Sequence, residues 1–396
     1  MFDLRGARPV RCAPTSSTGA PSCNSSTRQR ARRQCQSHMA TSRIRVSAPR
    51  VKIALGPFKS KIGGYALGSP LSALEICAGA GGQSSGLEQA GFGHGLAVEI
   101  DHDAAATLKL NRPTWNVYEG DVRDIDGRKY KGIDLLAVGV PCPPFSVAGK
   151  QLGADDERDL FPEAIRLVRE SRPRAVMLEN VRGLASERFA LYRRSVLAQL
   201  SELGYGAKWQ LLYSSMYGVP QLRPRFVLVA FRGSQIEKFK WPEAVGTPPT
   251  VGEKLFTLMS ANGWIGASRW AANADGVGPT IVGGSKKHGG ADLGPTRAKA
   301  GWLALGVDGK GIAEEAPDAS VALDHIPRLT NRMVARVQGF SDEWAFSGRK
   351  TSTYRQIGNA FPPPVAKNIG ISIHSVLSPI TVRDFGAFEA SRLELV

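Results

Sequence analysis

Between residues 71 and 235, short apolar runs alternate with segments whose apolar positions recur at helical spacing. "LSALEIC" (71–77) predicts a strand, "AGAGG" a glycine turn, and "QSSGLEQAGF" a short helix with Leu87 and Ala90 inward and Gly91 as its stop. "HGLAVEID" then predicts a strand ending in acids and "AAATLKLN" a helix. "IDLLAVGV" and "RAVMLENV" read as buried strands separated by the helical "LFPEAIRLVRES", and "YGVPQLRPRFVLVAF" runs into another strand. This rhythm predicts an α/β fold, a mostly parallel sheet with helices on both faces.

The rhythm fails near residue 235. Residues 235–325 are rich in Gly, Pro and Thr with little periodicity, which predicts a second, smaller, loop-rich domain. "RLTNRMVARVQGF" resumes a helical pattern, and "TYRQIGNAFPPPVAKNIGISIHSVL" predicts a loop and a last helix. The chain shows no internal repeat. No apolar run approaches the roughly 18 residues that span a bilayer, so no membrane association is expected.

Charge changes the picture mainly at the start of the chain. The formal net charge is +16, but residues 1–70 hold ten Arg and three Lys against the single acid Asp3, leaving only +4 for the remainder. That Ser-, Thr-, Pro- and Arg-rich segment is expected to be a disordered basic tail. Three readings stay open for it: an arm that tethers nucleic acid, an organellar transit peptide, or a leader upstream of a start at Met39. Three of the five cysteines fall in it, and the other two, Cys77 and Cys142, have no metal-ligand or disulfide spacing. A reducing, intracellular setting and no metal are the expectation.

Candidate chemistry gathers at the predicted strand ends, where open α/β sheets bind ligands. "EICAGAGG" places glycines where backbone approaches a ligand, although a plain tight turn explains it equally well. Glu99 is placed to take ribose hydroxyls and Asp121, in "EGDVRDI", an adenine amino group; either one alone reads as a surface acid. In "GVPCPPFSVAGKQ", Cys142 stands among Pro141, Pro143 and Pro144, which stiffen the loop, and it reads as a positioned nucleophile rather than a buried small hydrophobe. Glu179 in "MLENVRGL" is a candidate acid, and the alternation of Gln221, Arg223 and Arg225 points three polar side chains to one face.

In this order, "EICAGAGG", "VEID", "GDV", "GVPCPPFSVAG", "ENVRGL", "QLRPR", "RLTNRMVARVQGFSDEW" and "QIGNAFPPPVA" resemble the signatures of DNA (cytosine-5)-methyltransferases over about residues 71–235 and 326–375. The resemblance implies a Rossmann-like S-adenosylmethionine-dependent sheet with a target-recognition domain. Under it, residues 71–235 form the catalytic and cofactor-binding part, 236–340 read the target, and 341–396 return to the catalytic domain. It makes Cys142 the nucleophile, Glu179 the group on cytosine N3 and its amine, and Arg225 the contact to O2 with Arg223 nearby. The cofactor would be lined by Ala78, Gly79, Gly81, Gly82, Val122, Pro141 and Asn359, with Glu99 on its ribose, Ile100 on its adenine face and Asp121 on N6. "PTIV" (279–282) resembles the Thr-apolar pair of the family's recognition domains. Two departures stand out: Cys77 occupies a usual Phe position, losing an aromatic contact to the cofactor, and Pro143 a usual Gln position beside the base.

These residue types suit the reaction. Cytosine C5 becomes nucleophilic only after a thiolate adds to C6 while an acid protonates N3, and the base must leave the duplex stack first. The implied enzyme is a compact bacterial-type methyltransferase: cytoplasmic, nucleoid-associated, monomeric, acting on double-stranded DNA, with a cognate restriction endonuclease as an open companion. An RNA cytosine-5 methyltransferase of the same fold and a non-catalytic nucleic-acid binder are the rivals. A dinucleotide-dependent oxidoreductase would leave the Pro-Cys loop and "QLRPR" unexplained.

Overall fold

The computed structural model describes residues 71–140, 159–284 and 290–378. The expectations for the tail, for Pro141, Cys142 and Pro143, and for most of "SKKHGG" lie outside the described residues.

Each predicted strand forms. β1 (Leu71–Ile76), β2 (Phe92–Glu99), β3 (Val117–Glu119), β4 (Leu135–Gly139) and β5 (Ala175–Val181) pair in parallel, while β7 (Pro224–Arg232) runs antiparallel between β5 and β6 (Tyr205–Tyr213). The seven-stranded order is β3-β2-β1-β4-β5-β7-β6. Strand alternation sends successive apolar residues to opposite faces, so both faces need cover. Leu74, Ile76, Leu136, Val138 and Leu178 pack with α3 (Phe161–Ser171) and with Val196 and Leu200 of α4 (Ala190–Glu202). On the other face Ala73, Leu135, Ala137, Met177 and Val229 meet Leu87 of α1 (Gly82–Gln89) and the Val365, Ile369 and Ile373 side of α10 (Pro363–Leu377). The last helix thus closes the sheet that the first strand opens. α2 (His102–Asn111) joins β2 to β3 and is capped by the Asp101 carboxylate, which accepts from the Ala104 N–H at 3.1 Å.

Two segments differ from expectation. Residues 235–325 contain three short helices, α5 (Val251–Met259), α6 (Ala267–Asn273) and α7 (Thr296–Ala304), rather than loop alone. They share an apolar cluster built on Trp264, Trp270 and Trp302 with Met333 and Val337 of α8 (Asn331–Gln338) and with Tyr354 and Ile357 of α9 (Lys350–Asn359). The segment expected as loop around "TYRQIGNA" is α9; the three prolines that suggested a loop only terminate it, with Pro363 starting α10.

Candidate active site

The carboxyl ends of β3, β2, β1, β4 and β5 lie side by side, and the candidate residues follow from that edge. After β1 the chain turns through Gly79 (φ 57°) and Gly81 (φ 85°), conformations that favour glycine, before Gly82 opens α1. Cys77 takes a positive φ of 54° with a side chain present, so the strand end is strained there. A Cβ on Gly79 would meet nothing within 4 Å, so the turn leaves room beside its backbone.

Glu99 is buried at the end of β2, where it accepts from the Gly79 N–H at 2.7 Å through Oε2 and from the Asp101 N–H at 2.7 Å through Oε1. Burial pushes its carboxyl above the ordinary range, against the pull of those two backbone donors. Ile100 beside it is 69% exposed, a free apolar face next to a carboxylate. Asp121 caps the turn after β3, accepting from the Arg123 N–H and guanidinium at 2.9 Å each, which holds its carboxyl below the usual range. Val122 is buried behind it. Ala78 donates to the Val98 carbonyl at 3.1 Å, tying the glycine turn to β2. The edge therefore brings together an open glycine turn, two carboxylates and an exposed apolar side chain, a donor and acceptor set that fits S-adenosylmethionine.

Gly139 pairs with Glu179 across β4 and β5, so the strand leading toward Cys142 ends beside this carboxyl group. Glu179 Oε1 lies 2.6 Å from Arg225 Nε, and both side chains are over nine-tenths buried. Burial raises the Glu179 pKa; the positive charges of Arg225 and Arg223 act against that rise. Arg223 itself reaches elsewhere: its guanidinium donates to the carbonyls of Ile281 (2.8 Å), Gly358 (2.8 Å) and Ala360 (2.7 Å). Gln221 takes the other side of the same residue, accepting from the Ile281 N–H at 2.7 Å and donating to Gln338 at 2.8 Å. Gln221 and Arg223 so clamp the "PTIV" segment to the sheet domain.

Asn359 ends α9 with its carboxamide donating to the Gly284 carbonyl at 3.3 Å. Its neighbours, not its own side chain, abut the glycine turn: a Cβ on Gly82 would fall 2.3 Å from the Phe361 carbonyl oxygen. Sequence reasoning missed Trp344, whose indole reaches the Ala80 carbonyl, and Gln338; neither lies in a strand-end motif. Among the described residues no group of side chains is arranged to hold a metal ion, and no helix is long and apolar enough to cross a membrane.

A family model for C-5 cytosine-specific DNA methylases matches residues 71–375. The Type II methyltransferase M.NaeI of Lentzea aerocolonigenes is 59% identical over 312 residues, 78% of this chain and 76% of that protein. M.NgoMIV of Neisseria gonorrhoeae is 54% identical over 310 residues, 77% of this chain and 98% of that protein. Among solved structures, the Entamoeba histolytica methyltransferase EhMeth superimposes with a TM-score of 0.57 at 15% identity, covering 78% of this chain and 99% of that one, a likeness of fold. The chain belongs to the C-5 cytosine-specific DNA methylases and is an S-adenosylmethionine-dependent DNA (cytosine-5)-methyltransferase, similar to proteins named Type II methyltransferases.

Proposed function

We propose that the protein methylates C5 of a cytosine rotated out of duplex DNA, through a transient bond between the Cys142 sulfur and C6. The observation that carries this reading is the buried Glu179–Arg225 pair, 2.6 Å apart, at the strand end next to Gly139. A carboxyl group whose pKa burial raises can hold a proton for cytosine N3, while Arg225 beside it takes the ring O2. Protonation at N3 draws electron density from the ring, so the Cys142 thiolate adds to C6 and C5 gains enamine character. Bound S-adenosylmethionine supplies the electrophilic methyl group. Glu99 holds the ribose, Ile100 covers the adenine face, Asp121 accepts from N6, and Ala78, Gly79, Gly81, Gly82 and Val122 shape the turn; Pro141 joins this set by resemblance to the family alone, and Asn359 contributes only through the chain that follows it, which abuts Gly82. Loss of the C5 proton then expels the thiolate and restores the aromatic ring.

Arg223 works mainly as a brace in this scheme, its three carbonyl partners holding the segment around Ile281 near the base site. Residues 236–340 form the target-recognition part, positioned by that brace, and residues 341–378 return to the catalytic part. A Type II endonuclease that cuts the same site is the proposed companion, since the relatives are named Type II methyltransferases. The reaction takes place on cellular DNA, which for a bacterial host means the nucleoid.

The test is to incubate the protein with S-adenosylmethionine and unmethylated duplex DNA or RNA and map modified cytosines by bisulfite sequencing. Methylation at one recurring duplex DNA sequence, lost in Cys142→Ser with cofactor binding retained, is the expected result. Modification of RNA alone, or full activity in Cys142→Ser, would overturn the reading.

A further inference from the structure

The glycine turn does not keep its shape unaided. Ala80 sits between two residues of positive φ, and the Ala80–Gly81 peptide is held at both ends: the Gly81 N–H donates to the Ala78 carbonyl at 3.2 Å and the Ala80 carbonyl accepts from the Trp344 indole N–H at 3.0 Å. The indole also backs the turn, since a Cβ on Gly81 would lie 2.6 Å from a Trp344 ring carbon. Trp344 is buried, and it comes from the link between α8 and α9, 264 residues from its partner.

The indole is itself fixed. The Arg112 guanidinium lies 5.2 Å from the Trp344 ring centroid and 5.8 Å from that of Trp115, and it is locked by a forked pair with Glu88 at 2.7–2.9 Å. The chain after Trp344 grips α2: the Asn111 side chain exchanges two hydrogen bonds with Ala345, and the Ser347 N–H donates to Thr107 Oγ1 at 2.8 Å. α2 begins three residues after Glu99, so the same anchor serves both the turn and the carboxylate that accepts from the Gly79 N–H.

We propose that Trp344 is a positioning residue for S-adenosylmethionine, acting through the Ala80–Gly81 peptide without touching the cofactor. The inference rests on the reading of the glycine turn as the cofactor site. A buried carbonyl that loses its donor turns toward another partner, and a rotation of this peptide moves the Gly79 and Gly81 backbone that borders the site. Trp344→Phe removes the N–H while leaving most of the ring against Gly81 and Arg112.

The experiment measures S-adenosylmethionine binding by calorimetry, melting temperature, and steady-state kinetics in both substrates for wild type, Trp344→Phe and Glu99→Ala. The expected result for Trp344→Phe is about tenfold weaker cofactor binding and a matching rise in the cofactor KM. Its kcat should stay within about twofold and its KM for DNA should not move, a split that general loosening of the fold would not produce. Trp344→His, which restores a ring N–H, should recover part of the loss. Wild-type cofactor affinity in Trp344→Phe, with Glu99→Ala impaired, would overturn the role of Trp344 and leave the cofactor site standing. Wild-type affinity in Glu99→Ala would overturn the cofactor site itself. Equal losses in cofactor and DNA parameters would also overturn the positioning role.

Discussion

Glu179 illustrates how burial prepares a side chain for chemistry. Its carboxyl lies out of water at the end of β5, and burial shifts its pKa upward against the arginine at 2.6 Å. Glu179→Gln should lower kcat by about 10²–10⁴-fold while cofactor affinity stays unchanged, because the amide cannot deliver a proton to N3. Activity that depends on the acid form should decline as pH rises through the raised folded-state pKa. A second buried acid serves stability rather than catalysis. Glu75 of β1 accepts from the Gln83 side chain at 3.1 Å and faces His94 at 3.6 Å, and burial pushes the Glu75 pKa up to about 7 and the His94 pKa down to about 4. Between those values the pair is neutral. The Glu75 contribution is present below the unfolded value near 4.5 and is lost as pH rises through about 7; the His94 contribution is present above its unfolded value near 6.5 and is lost as pH falls toward about 4. Glu75→Gln should therefore raise the melting temperature at pH 8 relative to wild type and gain little at pH 4.5, as thermal denaturation at the two pH values would show. Neither property was legible in the sequence: Glu75 reads there as one more strand residue, because the burial that sets its pKa comes from α1 and β2 packing over it.

At the scale of elements, the segments that departed from expectation are those whose signals are local and brief. α5 is capped by Thr250, whose Oγ1 accepts from the Glu253 N–H at 3.1 Å while the Glu253 carboxylate accepts from the Thr250 N–H at 2.7 Å. That reciprocal cap was present in "TVGE", but the surrounding glycines and prolines masked it. Thr250→Ala should cost about 1 kcal/mol, seen as a lower denaturant midpoint with an unchanged slope. Arg223 matters more for how elements join. Its guanidinium ties Ile281 to the end of α9 and the link that follows, and removing it takes the donor from the Ile281 and Gly358 carbonyls, while Ala360 keeps the Gln338 side chain. Arg223→Met should cost about 3 kcal/mol or more in denaturant unfolding, whereas an Arg223 that served only to contact the base would reduce activity with stability intact. The sequence alternation points Gln221, Arg223 and Arg225 to one face; in the structure Arg225 pairs with Glu179, while Gln221 and Arg223, past the turn where Arg223 has φ 26°, bond to Ile281.

For the molecule as a whole, the parallel half of the sheet and the order of its strand-end motifs were legible because each βα unit carries its own period and its own turn. β6 and α4 were not assigned, and β6 alternates around Trp209 and Gln210 at a sheet edge where half the side chains face water. The position of the glycine turn was legible, and its support from Trp344 was not, since that contact joins residues 264 apart. Of the residues named from the sequence for the cofactor, Ala78, Gly79, Gly81, Gly82, Glu99, Ile100, Asp121 and Val122 lie along one edge of the sheet, whereas Asn359 turns its carboxamide to Gly284. The whole reaction turns on a bond between one sulfur and one pyrimidine ring. Offering duplex DNA that contains 5-fluorocytosine together with S-adenosylmethionine, and mapping the covalent adduct by peptide mass spectrometry, tests for that bond. The expected result is a stable protein–DNA complex whose only linkage is at Cys142, because fluorine cannot leave as a proton would. An active preparation that methylates ordinary cytosine yet forms no adduct with the fluorinated base, or forms it at another residue, would contradict it.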